Sequence, residues 1–192
     1  MLIVLDYIRN RAMYRFAPAA DNELIVFGAA KPKYCQTSVQ QWLDFMQAQN
    51  IDRVCCLLES KTVDRYQSNL LAAYQQQFGE QKVLWQPGIA DFQIPDSGIL
   101  IENIIPFLIS AEQVQQKVVV HCSHGVGRTG IVLAAWLVSQ RGLSNKEALL
   151  AVRQQKSLPQ EAMIAALLFG KNPFRIKQQL NALLNACRVA FK

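Results

Sequence analysis

The sequence predicts an α/β domain with a mainly parallel central sheet flanked by helices, and three observations carry that reading. Short apolar runs alternate nearly end to end with longer segments of helical period. The run Lys117-Val118-Val119-Val120 is apolar on both faces, as a strand covered by helices on each side must be. Thr129 to Gln140 is apolar all round, which suits a helix buried at the centre of a domain.

In chain order, Leu24-Ile25-Val26-Phe27 reads as a strand stopped by Gly28, followed by a helix from about Ser38 to Gln49. A strand around Val54 to Leu58, a Gln-rich helix around Val63 to Phe78 and a strand around Val83 to Trp85 come next. The segment carrying Pro87, Gly88, Pro95 and Gly98 is dense in chain breakers and forms the one conspicuous loop. Leu100 to Ala111 reads as a helix, with Asp96 placed to cap it. The buried strand then delivers the chain into His121. Ser144 with Glu147 three residues on resembles a capping box and starts a helix to about Gln155. Pro159 sits at the start of another. Ile176, Leu180, Leu183, Leu184, Cys187 and Phe191 form an apolar stripe along a final helix spanning about 173–191. With no repeat or linker in sight, residues 1–192 are expected to form one domain.

At 192 residues, with 51% hydrophobic and 18% charged, the chain can bury a core without metal or disulfide support. Five cysteines (Cys35, Cys55, Cys56, Cys122, Cys187) make an odd count with no zinc-type spacing, which argues against a disulfide scaffold or structural zinc. No apolar run is long enough for a membrane span, and Met1 to Phe16 carries Asp6, Arg9, Arg11 and Arg15 where a signal peptide needs an apolar stretch. The expectation is a soluble, cytoplasmic protein. The net charge of +6 is lopsided: Glu161 is the last acid, while Lys171, Arg175, Lys177, Arg188 and Lys192 follow it. That basic C-terminal helix is read first as a solvated face, and second as a dock for an acidic partner or a membrane surface.

The informative segment is His121-Cys122-Ser123-His124-Gly125-Val126-Gly127-Arg128-Thr129-Gly130, set between the buried strand and the buried helix. Three of the nine glycines fall here and let backbone N–H groups turn inward, while the following helix directs its positive end at the same point. Arg128 adds a planar fork suited to bidentate phosphate binding. Cys122 stands at the entrance, in a setting that suits a nucleophilic sulfur. Residues 123–128 are therefore the expected phosphate cradle. Both histidines of the chain lie in it; His124 is read as a solvated loop residue whose backbone N–H does the binding.

This segment resembles the signature loop of the protein tyrosine phosphatases, in the form used by atypical dual-specificity members. The resemblance implies a metal-free, two-step displacement with no cofactor. In it Cys122 attacks phosphorus, Arg128 holds the equatorial oxygens, Thr129 eases departure of the sulfur, and His121 orders the loop. It also implies an acid on a mobile loop about thirty residues upstream, to protonate the leaving oxygen. Asp91, 31 residues before Cys122 and followed by Phe92 and Pro95, takes that place, with Asp96 in reserve. Buried packing is the expected role of Cys55 and Cys56, ahead of an oxidative disulfide of either with Cys122.

The expected function is hydrolysis of phosphotyrosine and of phosphoserine or phosphothreonine in proteins, with a phosphorylated protein as partner and no nucleic acid. RNA 5′-triphosphatase is an alternative, since Cys-Ser-His-Gly followed by Arg-Thr-Gly also resembles the loop of that branch, which does without the Asp. Phosphoinositide phosphatase is weaker, because Ser123, Gly125 and Val126 supply none of the lysines typical of its loops. A silent phosphate-binding module is the non-enzyme alternative, and the intact Cys122, Arg128, Thr129 and Asp91 argue against it.

Overall fold

The computed structural model describes residues 13–168, 170 and 172–192. Strands β1 (Ala17–Pro18), β2 (Val26–Ala30), β3 (Arg53–Cys56), β4 (Val83–Trp85) and β5 (Val118–Cys122) form one sheet in the order β1-β2-β5-β3-β4. β1 pairs antiparallel at the edge and every other pairing is parallel, so the expected α/β architecture is present. Central β5 is buried at all five positions, as its two-faced apolar run requires.

Successive residues of a strand face opposite ways, and the two sides of this sheet bury different cores. On one side Val26, Val118 and Val120 pack with α4 (Ile105–Gln113), α5 (Gly127–Gln140), α6 (Asn145–Gln154) and α8 (Pro173–Ala190). On the other, Phe27, Val54 and Val119 meet α1 (Gln36–Ala48) and α3 (Leu70–Phe78). The short α2 (Ser60–Val63) and α7 (Glu161–Leu168) complete the helices among the described residues. Within the C-terminal stripe Leu180, Leu183, Leu184 and Cys187 are buried, and the Ser144–Glu147 capping box is formed.

Three expectations are corrected. Gly28 does not stop a strand; it lies inside β2, where a Cβ would fall 2.8 Å from Leu133 Cδ1 and 2.9 Å from Thr129 Cγ2. The glycine marks close approach of α5 to the sheet. The Gln-rich helix is two helices: between them Tyr66 Oη donates to Pro32 O (3.0 Å) and Gln67 N–H to Tyr34 O (3.1 Å), diverting the chain until Asn69 caps α3. The helix expected from Leu100 opens with a π-turn, Ile99–Ile104, ahead of Pro106 in the first turn of α4. Most of Met1 to Phe16, where a signal peptide was discounted, lies outside the described residues. No helix among the described residues is long and apolar enough to cross a membrane.

Candidate active site

β5 ends on Cys122 and α5 begins at Gly127, so a four-residue loop turns the chain at the carboxyl edge of the sheet, where sites of open α/β folds lie. Gly125 makes the turn with φ +68, and a Cβ there would sit 2.6–2.7 Å from the backbone of Ala29 and Ala30, so only glycine fits. The loop is held from two further sides. Lys31 N–H donates to Cys122 O (2.9 Å), while Ser157 Oγ donates to Gly125 O (2.9 Å) and Leu158 N–H to Val126 O (3.2 Å). The N–H groups of His124, Gly125 and Val126 donate to no other backbone group among the described residues.

Arg128, in the first turn of α5, is 3% exposed. Its Nη1 donates to Leu57 O (3.0 Å) and Ile89 O (3.3 Å), and its Nη2 to Ser123 Oγ (2.9 Å). Nη2 also pairs with Asp91 Oδ1 at 2.5 Å, and Glu59 Oε1 stands 3.8 Å from Nη1. The structure thus brings Asp91 to Arg128 across a long stretch of sequence, with the aspartate side chain 45% exposed on its loop. Asp96 instead turns onto its own helix, Oδ1 accepting from Gly98 N–H (2.8 Å), which is the capping role.

Glu59 was not among the expected site residues. It follows β3 by three positions, accepts from Asp91 N–H (3.4 Å) and pairs with Lys61 (2.8 Å). Hydrogen bonding from Lys61 outweighs burial and, with the Asp91 amide and the charges of Lys61 and Arg128, holds its carboxyl below the usual range. An acid just past the carboxyl end of a buried strand was the available signal.

His121 and Cys122, as neighbours on β5, belong to opposite sides of the sheet. On the His121 side, Trp42 Nε1–H donates to Tyr74 Oη (3.0 Å), which lies 3.1 Å from His121 Nε2. Tyr74 Oη, which accepts from the indole, shares one hydrogen with His121 Nε2, the donor being set by the ring's tautomer, and the other ring nitrogen is Nδ1. That Nδ1 makes no well-formed hydrogen bond, although the Cys122 backbone beside it slightly raises the ring's basicity. Burial, then the charges of Arg128 and Lys31, push the imidazole down to about 3, so it is neutral at physiological pH. Cys122 itself is almost fully buried, and the hydroxyl of buried Thr129 has no hydrogen-bond partner among the described residues. His124 is exposed and, with Ser123 and Val126, lines an open cavity of about 820 Å³.

All five cysteines are free thiols. Cys55 and Cys56 are wholly buried; burial pushes the Cys56 thiol up to about 12 and the Cys55 thiol well above its ordinary range, as for packed structural cysteines.

Residues 34–169 match the model of the dual specificity phosphatase catalytic domain. Among solved structures, Tk-PTP in its active form is 26% identical, with a TM-score of 0.62 over 86% of this chain and 97% of that one. Kinase associated phosphatase is 22% identical (TM-score 0.63; 82% and 83% covered). PTPMT1 in complex with PI(5)P shares the fold at 15% identity (TM-score 0.65; 91% and 97% covered). The chain belongs to the dual specificity phosphatases of the protein tyrosine phosphatase superfamily, and it is a phosphatase.

Proposed function

We propose that the protein hydrolyses phosphotyrosine and phosphoserine or phosphothreonine in proteins through a phosphocysteine on Cys122. The observation that carries this is the loop itself: a cysteine at the end of a buried strand, followed by N–H groups that donate to no other backbone group among the described residues and by a buried arginine pinned to Leu57 O and Ser123 Oγ.

In the first step Cys122 Sγ forms a bond to phosphorus as the bond to the leaving oxygen breaks. The N–H groups of residues 123–128 and the Arg128 fork take the charge that spreads over the equatorial oxygens. The substrate phosphate takes over the guanidinium edge that Asp91 holds, which frees the Asp91 carboxyl to protonate the leaving oxygen. In the second step water attacks phosphorus, Asp91 accepts its proton and the phosphorus–sulfur bond breaks. The unpartnered Thr129 hydroxyl supports a role in easing that departure. His121, neutral and buttressed by Tyr74, orders the loop without taking a proton.

The test is hydrolysis of p-nitrophenyl phosphate and of phosphotyrosine and phosphothreonine peptides with EDTA present. Wild type is expected to turn over all three. Cys122→Ser abolishes turnover, and Asp91→Ala lowers it by about 10²–10⁴-fold on the peptides, whose leaving groups need the proton. Undiminished turnover by Cys122→Ser would overturn the mechanism; undiminished peptide hydrolysis by Asp91→Ala would move the acid elsewhere.

A further inference from the structure

A groove of about 540 Å³ lies between α6, the start of α7 and α8. Along α6, Lys146, Leu149, Leu150 and Arg153 fall three and four residues apart, so they share one helix face, and that face lines the groove. Lys177 and Leu180 line it from α8, three residues apart, and Met163 from α7. The apolar side chains and the cations therefore belong to one concave surface, and no acid lines it among the described residues. Lys146, Arg153 and Lys177 have no ion-pair partner among the described residues, and Leu150 is left 53% exposed.

The groove is continuous with the site already described, because Arg153 lines both it and the cavity over the catalytic loop. A chain whose phosphoresidue sits at that loop enters the groove by passing Arg153. Arg153 and Lys146 stand seven residues, or about 10 Å, apart along α6, a distance that an extended peptide spans in about three residues. Unpaired cations with no acid among them favour a carboxylate-bearing segment and repel a basic one, while the leucines between them leave room for an apolar side chain. A concave site of this size suits a segment and not the face of a bilayer. With a net charge of +6, a second copy of this chain is a poor source of such a segment.

We propose that the groove between α6 and α8 is a substrate-docking site for an acidic, apolar segment flanking the phosphoresidue of a protein. One carboxylate meets Arg153, a second about three residues further along meets Lys146, and an apolar side chain between them covers Leu149 and Leu150, with Lys177 of α8 adding to the positive rim. The proposal rests on the phosphoprotein reading above and narrows its substrates to those that carry such a segment.

The test reads peptides in two ways. Affinity of the full Cys122→Ser chain for an unphosphorylated peptide with Glu and Leu in this spacing is measured by fluorescence anisotropy. KM of the wild type is measured for phosphotyrosine peptides in which the segment follows the phosphoresidue, precedes it, or is replaced by Ser and Gln. In one of the two directions KM is expected to fall about ten-fold below that of the neutral peptide with kcat unchanged, an advantage that shrinks with salt. Lys146→Glu/Lys177→Glu is expected to remove the advantage and to prefer a peptide with Lys in place of Glu; Leu150→Ser is expected to weaken binding about five-fold. All three side chains are exposed or rim the groove, and an unchanged thermal melt checks the fold. Equal KM for acidic and neutral peptides in both directions, or an acidic preference that survives Lys146→Glu/Lys177→Glu, overturns the proposal. Self-association lost in that variant, or binding of dodecanoate without binding of peptide, assigns the groove to a second copy or to a fatty-acid anion and overturns it as well. Anisotropy needs no turnover, so a failure of the phosphatase reading leaves the docking result legible by itself.

Discussion

An arginine cluster closes each end of α5, and the two are finished differently. Beyond the last turn, Arg141 donates to both oxygens of buried Glu23 (2.9 and 3.3 Å) and pairs with Glu112 at 2.6 Å. Glu23 accepts in addition from Ile25 N–H, Val26 N–H and Trp136 Nε1–H, at 2.8–3.2 Å. Burial alone would raise that carboxyl, but these donors and the Arg141 charge leave it below its ordinary range. In the first turn, Arg128 is buried as deeply as Glu23, yet its Nε, the Thr129 hydroxyl and His121 Nδ1 have no hydrogen-bond partner among the described residues, and its closest carboxylate there belongs to an exposed loop. A buried charge with complete partners holds the fold together; one with incomplete partners is disposed for a ligand.

The largest effect that tests the contrast is on rate. Arg128→Met is expected to lower kcat/KM for p-nitrophenyl phosphate by about 10³-fold, because the fork proposed to stabilise transition-state charge is gone. Its unfolding free energy is expected to fall by about 2 kcal/mol or less, since Leu57 O and Ile89 O lose a donor while the desolvation cost of a buried charge goes with it. Parallel kinetics and urea melts check both halves. A loss of several kcal/mol would make Arg128 as structural as Arg141 and erase the distinction.

How much of this was legible follows from where the partners lie in the chain. His121 to Gly130 are contiguous, so strand, loop and helix could be read from local pattern, and Asp91 followed from its spacing to Cys122 once the loop was recognised. Glu59, Ser157 and the Trp42–Tyr74 pair support the same loop through contacts that only the folded sheet creates, and no local pattern announces them. Gly28 was misread for a related reason: in sequence a glycine after an apolar run looks like a stop, while the α5 side chains that require it lie a hundred residues on. The mainly parallel sheet was legible because burial on both faces writes itself into β5 residue by residue.

Glu23→Gln is the converse change, and the next in size. It strips the charge from the completed cluster and leaves Arg141 facing an amide, which is expected to cost about 3 kcal/mol of stability. Turnover per folded molecule is expected to stay within about two-fold of wild type, because the change lies at the far end of α5 from the loop. Active-site titration alongside thermal melting separates the two quantities; a large fall in specific turnover would show that the clusters communicate through the helix.

Gly28→Ala probes the contact that seats the first turn of α5 on the sheet. A methyl group at 2.8–2.9 Å from Leu133 and Thr129 forces one of them aside, at an expected cost of about 2 kcal/mol. Since Thr129 belongs to the end of α5 proposed to be catalytic, turnover is expected to fall with stability here, unlike at Glu23. Restored stability and turnover in Gly28→Ala/Leu133→Val would locate the strain at Leu133.

The smallest effect, and the one that separates the clusters by pH, concerns His121. Its ordinary value is 6.5 and its folded value about 3, so below about pH 6.5 the unfolded chain binds a proton that the native protein refuses. The resulting stability is complete above about pH 6.5 and is lost as pH falls toward 3, with a slope of about 1.4 kcal/mol per pH unit from this group. Glu23 acts lower: its carboxyl is held below 4.5 in the fold, so its contribution is present above 4.5 and declines only beneath it. Urea melts between about pH 7 and 5 therefore read the His121 end of the molecule, and His121→Gln is expected to flatten that slope while Glu23→Gln leaves it unchanged. A slope that persists in His121→Gln would mean that it has another source and that the native imidazole already binds the proton, and the neutral ring assigned to the loop would fall with it.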